Sequence, residues 1–152
     1  MKRRDFIKGV FATSAMVVST NLMAEEKVIG ANDLSFDAAV KAITDGKEVK
    51  KSDKIKLTVP EIAENGAVVP VKVEVKSPMT EEDYVKSIHV LNTKNGNTRC
   101  ADVMLTPANA KGYFSTRIKL SETQDVVALV ELSDGTFLNA AKSVKVTIGG
   151  CG

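Results

Sequence analysis

Val69-Pro70-Val71-Lys72-Val73-Glu74-Val75 sets a valine at every second position. A period of two places those valines on one face of a β-strand and turns Lys72 and Glu74 to solvent. The same period recurs outward in both directions. Upstream, Ile55, Leu57 and Val59 alternate with polar residues. Downstream come Ile88 and Val90; Ala101, Val103 and Leu105; Phe114, Thr116, Ile118 and Leu120; Val126, Ala128, Val130 and Leu132; and finally Val144, Val146 and Ile148. Between these runs lie turn-forming clusters: Glu64-Asn65-Gly66, Ser77-Pro78, Lys94-Asn95-Gly96-Asn97, Pro107 to Gly112, and Ser133-Asp134-Gly135. Asp134-Gly135 between apolar runs is a hairpin signal. Some seven short alternating strands with turns at this spacing predict a mainly β fold, an immunoglobulin-like antiparallel β-sandwich. The absence of Trp, with aromatics at only 5%, fits a core built from aliphatic, sheet-favouring side chains. A single helical stretch precedes the strands. Phe36, Ala39, Val40 and Ile43 recur at helical spacing between Ser35, an N-cap residue, and Gly46, a stop. The lysine-rich run after it, Lys47 to Lys56, reads as a solvated connection.

The N-terminus reads as an address. Met1-Lys2-Arg3-Arg4-Asp5-Phe6-Ile7-Lys8 is a basic segment with paired arginines, and an apolar stretch from Val10 to Val18 follows. This pattern predicts a twin-arginine signal peptide over residues 1–24, with cleavage after Ala24 and delivery to the periplasm. The apolar stretch is too short for a span of about 20 residues, so no stable membrane anchor is expected; a retained anchor is the alternative. Removing the segment turns the net charge of +2 into −1. A chain so close to neutrality has little attraction for phosphate backbones, and nucleic acid is not an expected partner. The mature part is one domain by length, a β-sandwich over 25–148, and can bury enough surface to fold without a disulfide.

Chemistry-bearing residues are few. The single histidine, His89, lies between Ile88 and Val90 and reads as a surface or partly buried side chain; one histidine builds no structural metal site. No nucleophile elbow, phosphate loop or dinucleotide fingerprint is present. Two cysteines remain. Cys100 enters a strand at Arg99-Cys100-Ala101-Asp102, on the side of Asp102 and Met104, and reads as a small buried hydrophobe, an outward-facing thiol or half of a bridge. Cys151 lies in Gly149-Gly150-Cys151-Gly152. Its glycine neighbours impose no side-chain obstruction, and four extended residues reach roughly 12 to 14 Å. The tail over 149–152 is therefore predicted to be a flexible arm with Cys151 as a covalent handle. The rival is a frayed terminus bridged to Cys100, stapling a periplasmic binding or scaffold sandwich. A thiol-dependent oxidoreductase would need a resolving cysteine and a nearby base, for which only Cys100 and His89 are on offer.

The strand with its Pro60-Glu61-Ile62-Ala63-Glu64-Asn65-Gly66-Ala67-Val68-Val69-Pro70-Val71 connection, the Arg117-Ile118-Lys119-Leu120 strand, the Ser133-Asp134-Gly135 hairpin and the glycine-flanked terminal cysteine together resemble the SoxY family. These are the sulfur-carrier subunits of the periplasmic thiosulfate-oxidising multienzyme system, and the resemblance runs over essentially the whole length. It implies that Cys151 is the covalent attachment point for sulfur intermediates, on an arm made by Gly149, Gly150 and Gly152. The subunit itself is then no enzyme and has no cofactor of its own. A haem enzyme joins thiosulfate to the cysteine, a dimanganese hydrolase releases sulfate, and a molybdenum-containing sulfur dehydrogenase acts on the remaining sulfur in complete versions of the pathway. A second small sandwich, the Z subunit, is the implied heterodimer partner. Strands carrying apolar residues on both faces, Val68-Val69, Val126-Val127 and Leu129-Val130, point to a further covered surface. The family's tail usually runs on to another glycine, and this sequence stops at Gly152.

Overall fold

The computed structural model describes Gly30 and residues 33–151. The predicted export segment and Gly152 lie outside the described residues.

The helix expected from the Phe36 pattern is α1, Phe36–Thr44. Ser35 starts it, its Oγ accepting the amide of Ala38 at 3.4 Å. Asp45 at φ 53° and Gly46 at φ 75° stop it by taking the left-handed conformation. The remainder is two packed sheets. In chain order the strands are β1 Val49–Lys51, β2 Ile55–Thr58, β3 Ile62–Asn65, β4 Val69–Val75, β5 Val85–Asn92, β6 Arg99–Met104, β7 Gly112–Ile118, β8 Gln124–Leu132 and β9 Phe137–Ile148. The larger sheet runs β1-β9-β8-β5-β6, with β3 also paired to β9; the smaller runs β2-β4-β7.

All seven strands expected from alternation are present, and two more were hidden. β1 lies in the lysine run, where Lys50 and Lys51 face solvent but the backbone pairs with Phe137 to Asn139. β3 lies inside the connection after Pro60 and pairs with Lys145 to Ile148. Both pairings with β9 are parallel, whereas every other ladder is antiparallel. The Asp134-Gly135 hairpin forms as read: Gly135 takes φ 83°, and Glu131 faces Phe137 across β8 and β9.

The valine face of β4 lies in the interior with no more than 4% exposure at any of its four valines. It packs with Ile55 and Leu57 of β2 against Val85, Ile88 and Val90 of β5 and Val126, Ala128 and Val130 of β8. Each such side chain contributes about 1.5–3 kcal/mol when fully removed from water. A second cluster, Leu91, Val127, Leu129 and Phe137, lies apart from this one, and Phe36, Val40, Ile43 and Val49 pack on it. This corrects one expectation. The second apolar face of β8 is covered by the chain's own helix, and of the residues expected to mark a partner surface only Val68 remains exposed.

Candidate functional site

Three backbone segments interlock where β9 ends, and glycine is what lets them. Gly66, just after β3, donates its amide to the carbonyl of Ile148 at 2.7 Å and accepts the amide of Leu120 at 2.7 Å. Leu120 in turn accepts the amide of Gly150 at 2.9 Å. A Cβ on Gly66 would lie 2.2 Å from the Leu120 carbonyl oxygen, one on Gly149 would lie 2.1 Å from the Ser121 carbonyl oxygen, and one on Gly150 would lie 2.6 Å from the backbone of Ala67. None of these neighbours is a movable side chain. The sequence reading gave Gly149 and Gly150 to an arm free from residue 149 onward. The structure places both against the body, with Gly150 hydrogen-bonded to Leu120. Cys151 follows directly and is exposed.

The landing place of the tail is built by two buried amides, Asn95, which the sequence reading treated only as a turn residue, and Gln124, which it did not single out. Asn95, in the loop between β5 and β6, is 8% exposed. Its Oδ1 accepts the Ser121 amide at 3.0 Å, the Ser121 hydroxyl at 2.8 Å and the Gln124 amide group at 2.6 Å. Its Nδ2 donates to the Lys119 carbonyl at 2.8 Å. Gln124 Oε1 accepts the amides of Lys94 and Asn95. This knot fixes the segment after β7, residues 119–121, in which the Leu120 carbonyl receives the tail. A polar network of this kind is worth its burial only when fully satisfied, and no buried side-chain polar atom among the described residues lacks a partner.

Cys100 belongs to the same construction. Val90 pairs with Ala101 and Leu91 with Arg99, leaving Cys100 without a cross-strand partner in a β-bulge. The extra residue breaks strict alternation. Cys100 is half-buried and packs, with Ala101 and Val103, against the main core. The outward-facing alternative drawn from strict alternation with Asp102 and Met104 fails for that reason. The Asn92 side chain donates to Cys100 Sγ at 3.1 Å and to the Asn97 carbonyl at 2.9 Å. Burial pushes the Cys100 thiol pKa up; the Asn92 hydrogen bond pulls the other way, and the Asp102 charge adds to the rise.

Cys100 and Cys151 open into one cavity of about 330 Å³, lined also by Asn95, Asn97, Arg117, Ile118 and Lys119. Both thiols are free; the bridge considered from the sequence is not formed. Arg117 and Lys119 make no ion pair among the described residues, so their positive charge is uncompensated beside the thiols. A small pocket with two cations and amide side chains suits an anion attached to sulfur. Among the described residues no group of three or more His, Cys, Asp or Glu is placed to hold a metal ion.

His89 is buried rather than at the surface. Its Nδ1 contacts Asp102 and its Nε2 lies 3.0 Å from Ser87 Oγ, while Arg99 holds the other Asp102 oxygen at 2.9 Å. The order Ser, His, Asp matches a hydrolytic relay, but Ser87 has no exposed surface, and a nucleophile without access to substrate performs no acyl transfer. These three residues stitch β5 to β6.

Residues 40–151 match the family model described as sulfur oxidation protein SoxY. Among solved structures, the sulfur carrier protein SoxY from Chlorobium limicola f thiosulfatophilum is 32% identical, with 74% of this chain and 96% of that chain covered and a TM-score of 0.62. A superoxide reductase (neelaredoxin) from Ignicoccus hospitalis is 19% identical over 61% of this chain and 80% of that one, with a TM-score of 0.56. A superoxide reductase from Nanoarchaeum equitans is 12% identical over 63% and 99%, with a TM-score of 0.54. The last two share the fold alone. Comparison with curated proteins gives no match.

Proposed function

The chain belongs to the SoxY family of sulfur oxidation proteins, and from that premise we propose that it is a covalent sulfur carrier whose cargo rides on Cys151. The observation that carries this reading is the placement of an exposed thiol one residue beyond the last backbone anchor, Gly150, at the mouth of a cavity with two unpaired cations.

Loading joins thiosulfate to Cys151 as Cys151–S–S–SO3⁻. The thiol proton goes to solvent and two electrons go to the haem enzyme. Hydrolysis of the S–SO3 bond then releases sulfate and leaves a persulfide on Cys151. The metals and haem belong to the partner enzymes. What this chain supplies is a nucleophilic sulfur, a tether that keeps each intermediate at high local concentration, and Arg117 and Lys119 to meet the sulfonate charge when the cargo rests in the cavity. The partner of the folded body is a Z-type subunit, and the site of work is the periplasm, reached by the twin-arginine route. Mixing with the Z subunit should give a heterodimer on size-exclusion chromatography, and a chain that stays monomeric in the mixture removes that partner.

Intact mass and peptide mapping after incubation with thiosulfate and the haem enzyme test the carrier reading. The expected result is an adduct on Cys151 and none in Cys151→Ser. An adduct on Cys100, or a Cys151 that carries neither an adduct nor a disulfide to Cys100, overturns it.

A further inference from the structure

We propose that Cys100 is the resolving thiol of Cys151: it displaces the cargo from the loaded cysteine and closes an intramolecular disulfide. The proposal rests on the carrier reading and goes beyond it, because a carrier needs one thiol and this cavity holds two.

Three observations converge. The only two cysteines in the sequence line the same cavity of about 330 Å³, although they are 51 positions apart in the chain. A disulfide forms when Cα atoms come within roughly 4.4–6.8 Å, so closure asks Cys151 to swing across this shared space toward Cys100. Cys151 is able to do so, since it lies beyond the Gly150 anchor and is exposed. Cys100 is held ready on its bulge, and the Asn92 N–H pointing at its Sγ at 3.1 Å favours the thiolate. The cations Arg117 and Lys119 on the cavity wall stabilise both the attacking thiolate and the departing anion.

The step balances without an external oxidant. From Cys151–S–S–SO3⁻, the Cys100 thiolate attacks Cys151 Sγ; a Sγ–Sγ bond forms, the bond to the outer sulfur breaks, and thiosulfate leaves with the electron pair. The Cys100 proton goes to solvent. From the persulfide the same attack expels hydrosulfide. Burial of Cys100 and the nearby Asp102 charge oppose thiolate formation, which makes discharge slow beside hand-over to an enzyme. Cargo that is passed on promptly survives, and cargo that waits is returned.

Tetrathionate tests this without any enzyme, because it converts an exposed thiol to the same S–S–SO3⁻ adduct and releases one thiosulfate. The wild-type chain should release a second thiosulfate, lose the adduct and yield a Cys100–Cys151 disulfide on non-reducing peptide mapping at dilute, monomeric concentration. Cys100→Ser should release one and keep the adduct; Cys100→Ala provides the same arm should the serine fold poorly. A wild-type adduct as long-lived as that of the variants, or disulfides found only between chains, overturns the proposal. The carrier reading fails separately: adduct-bearing Cys100→Ser offered to the sulfate-releasing hydrolase would then yield no sulfate, whatever the wild-type disulfide result.

Discussion

Gly150 donates its amide to the carbonyl of Leu120 at 2.9 Å, one residue before the thiol of Cys151. The last backbone anchor and the exposed thiol are therefore neighbours. Full extension needs the clamp around Gly66, Leu120 and Gly150 to open, with only main-chain hydrogen bonds to break and no side chain to withdraw.

Filling the clamp should open it permanently. In Gly66→Ala the new methyl meets the Leu120 carbonyl, and in Gly150→Val the new side chain meets the Ala67 backbone. Overpacking of this kind costs about 1–3 kcal/mol. Denaturant unfolding should report that loss, and hydrogen exchange at Gly150 and alkylation of Cys151 should both accelerate. Unchanged protection at Gly150 in both variants would show that the tail is not held this way.

The two cysteines should separate cleanly in turnover. Cys151→Ser should abolish thiosulfate-dependent sulfate production in the reconstituted system while leaving the fold intact. Cys100→Ser should sustain it. Replacing both Arg117 and Lys119 by Gln removes the two cations lining the cavity and should slow loading several-fold, more at low than at high ionic strength because screening already weakens the cations. Sulfate release assays with the purified enzymes check all three.

Cys100 gives a pH dependence with a definite sign. Its folded-state pKa is raised, by burial first and by the Asp102 charge, against the Asn92 hydrogen bond. The neutral thiol is thus the form the fold tolerates. Its contribution to stability is complete below the ordinary thiol pKa and is lost as pH rises through the raised one. Urea midpoints for Cys151→Ser should fall with pH in the alkaline range more steeply than those for the double variant Cys100→Ser, Cys151→Ser. Equal slopes would contradict the burial argument.

Asn95→Leu should be among the most damaging single changes outside the apolar core. It removes the acceptor of the Ser121 amide and hydroxyl and of one Gln124 amide bond, and the donor to the Lys119 carbonyl; Gln124 keeps the Glu122 carbonyl, and a buried group left unpaired costs about 1–3 kcal/mol. A drop in urea midpoint together with faster alkylation of Cys151 is expected, since the landing site of the tail loosens with the knot.

For export, Arg3→Lys combined with Arg4→Lys should hold the precursor in the cytoplasm. Cell fractionation and the mass of the mature N-terminus check both the route and cleavage after Ala24.

What the sequence disclosed depended on the range of the forces involved. β4 and β8 are long enough for a period of two to stand out, and α1 for a helical one, because each face is sorted by burial within one element. β1 and β3 have three and four residues and mostly exposed side chains; their pairing is dictated by the distant β9, and no local pattern records it. For Cys100 the reading as a small buried hydrophobe agrees with its packing on the core, whereas alternation alone pointed it outward, because one bulge reverses every inference of that kind. Cys151 stood out from its glycine setting, and the structure leaves its thiol exposed. The cavity was not legible, because Asn95, Asn97, Cys100, Arg117, Lys119 and Cys151 come from three separate parts of the chain. The only hint was an unusual density of asparagine between β5 and β6.

β9 runs without interruption from Phe137 to Ile148 and leads straight into the tail. It is bonded to β8 from Phe137 to Val144, at its start to β1 and from Lys145 to Ile148 to β3. A pull applied at Cys151 runs along this strand axis. Traction in that direction loads the ladder bonds in shear, many sharing the force together, whereas the few bonds of the Gly66 clamp bear it first and nearly alone. The protein thus behaves as a rope spliced into a hull with a light stopper at the deck: the line pays out at the stopper, and the splice does not slip.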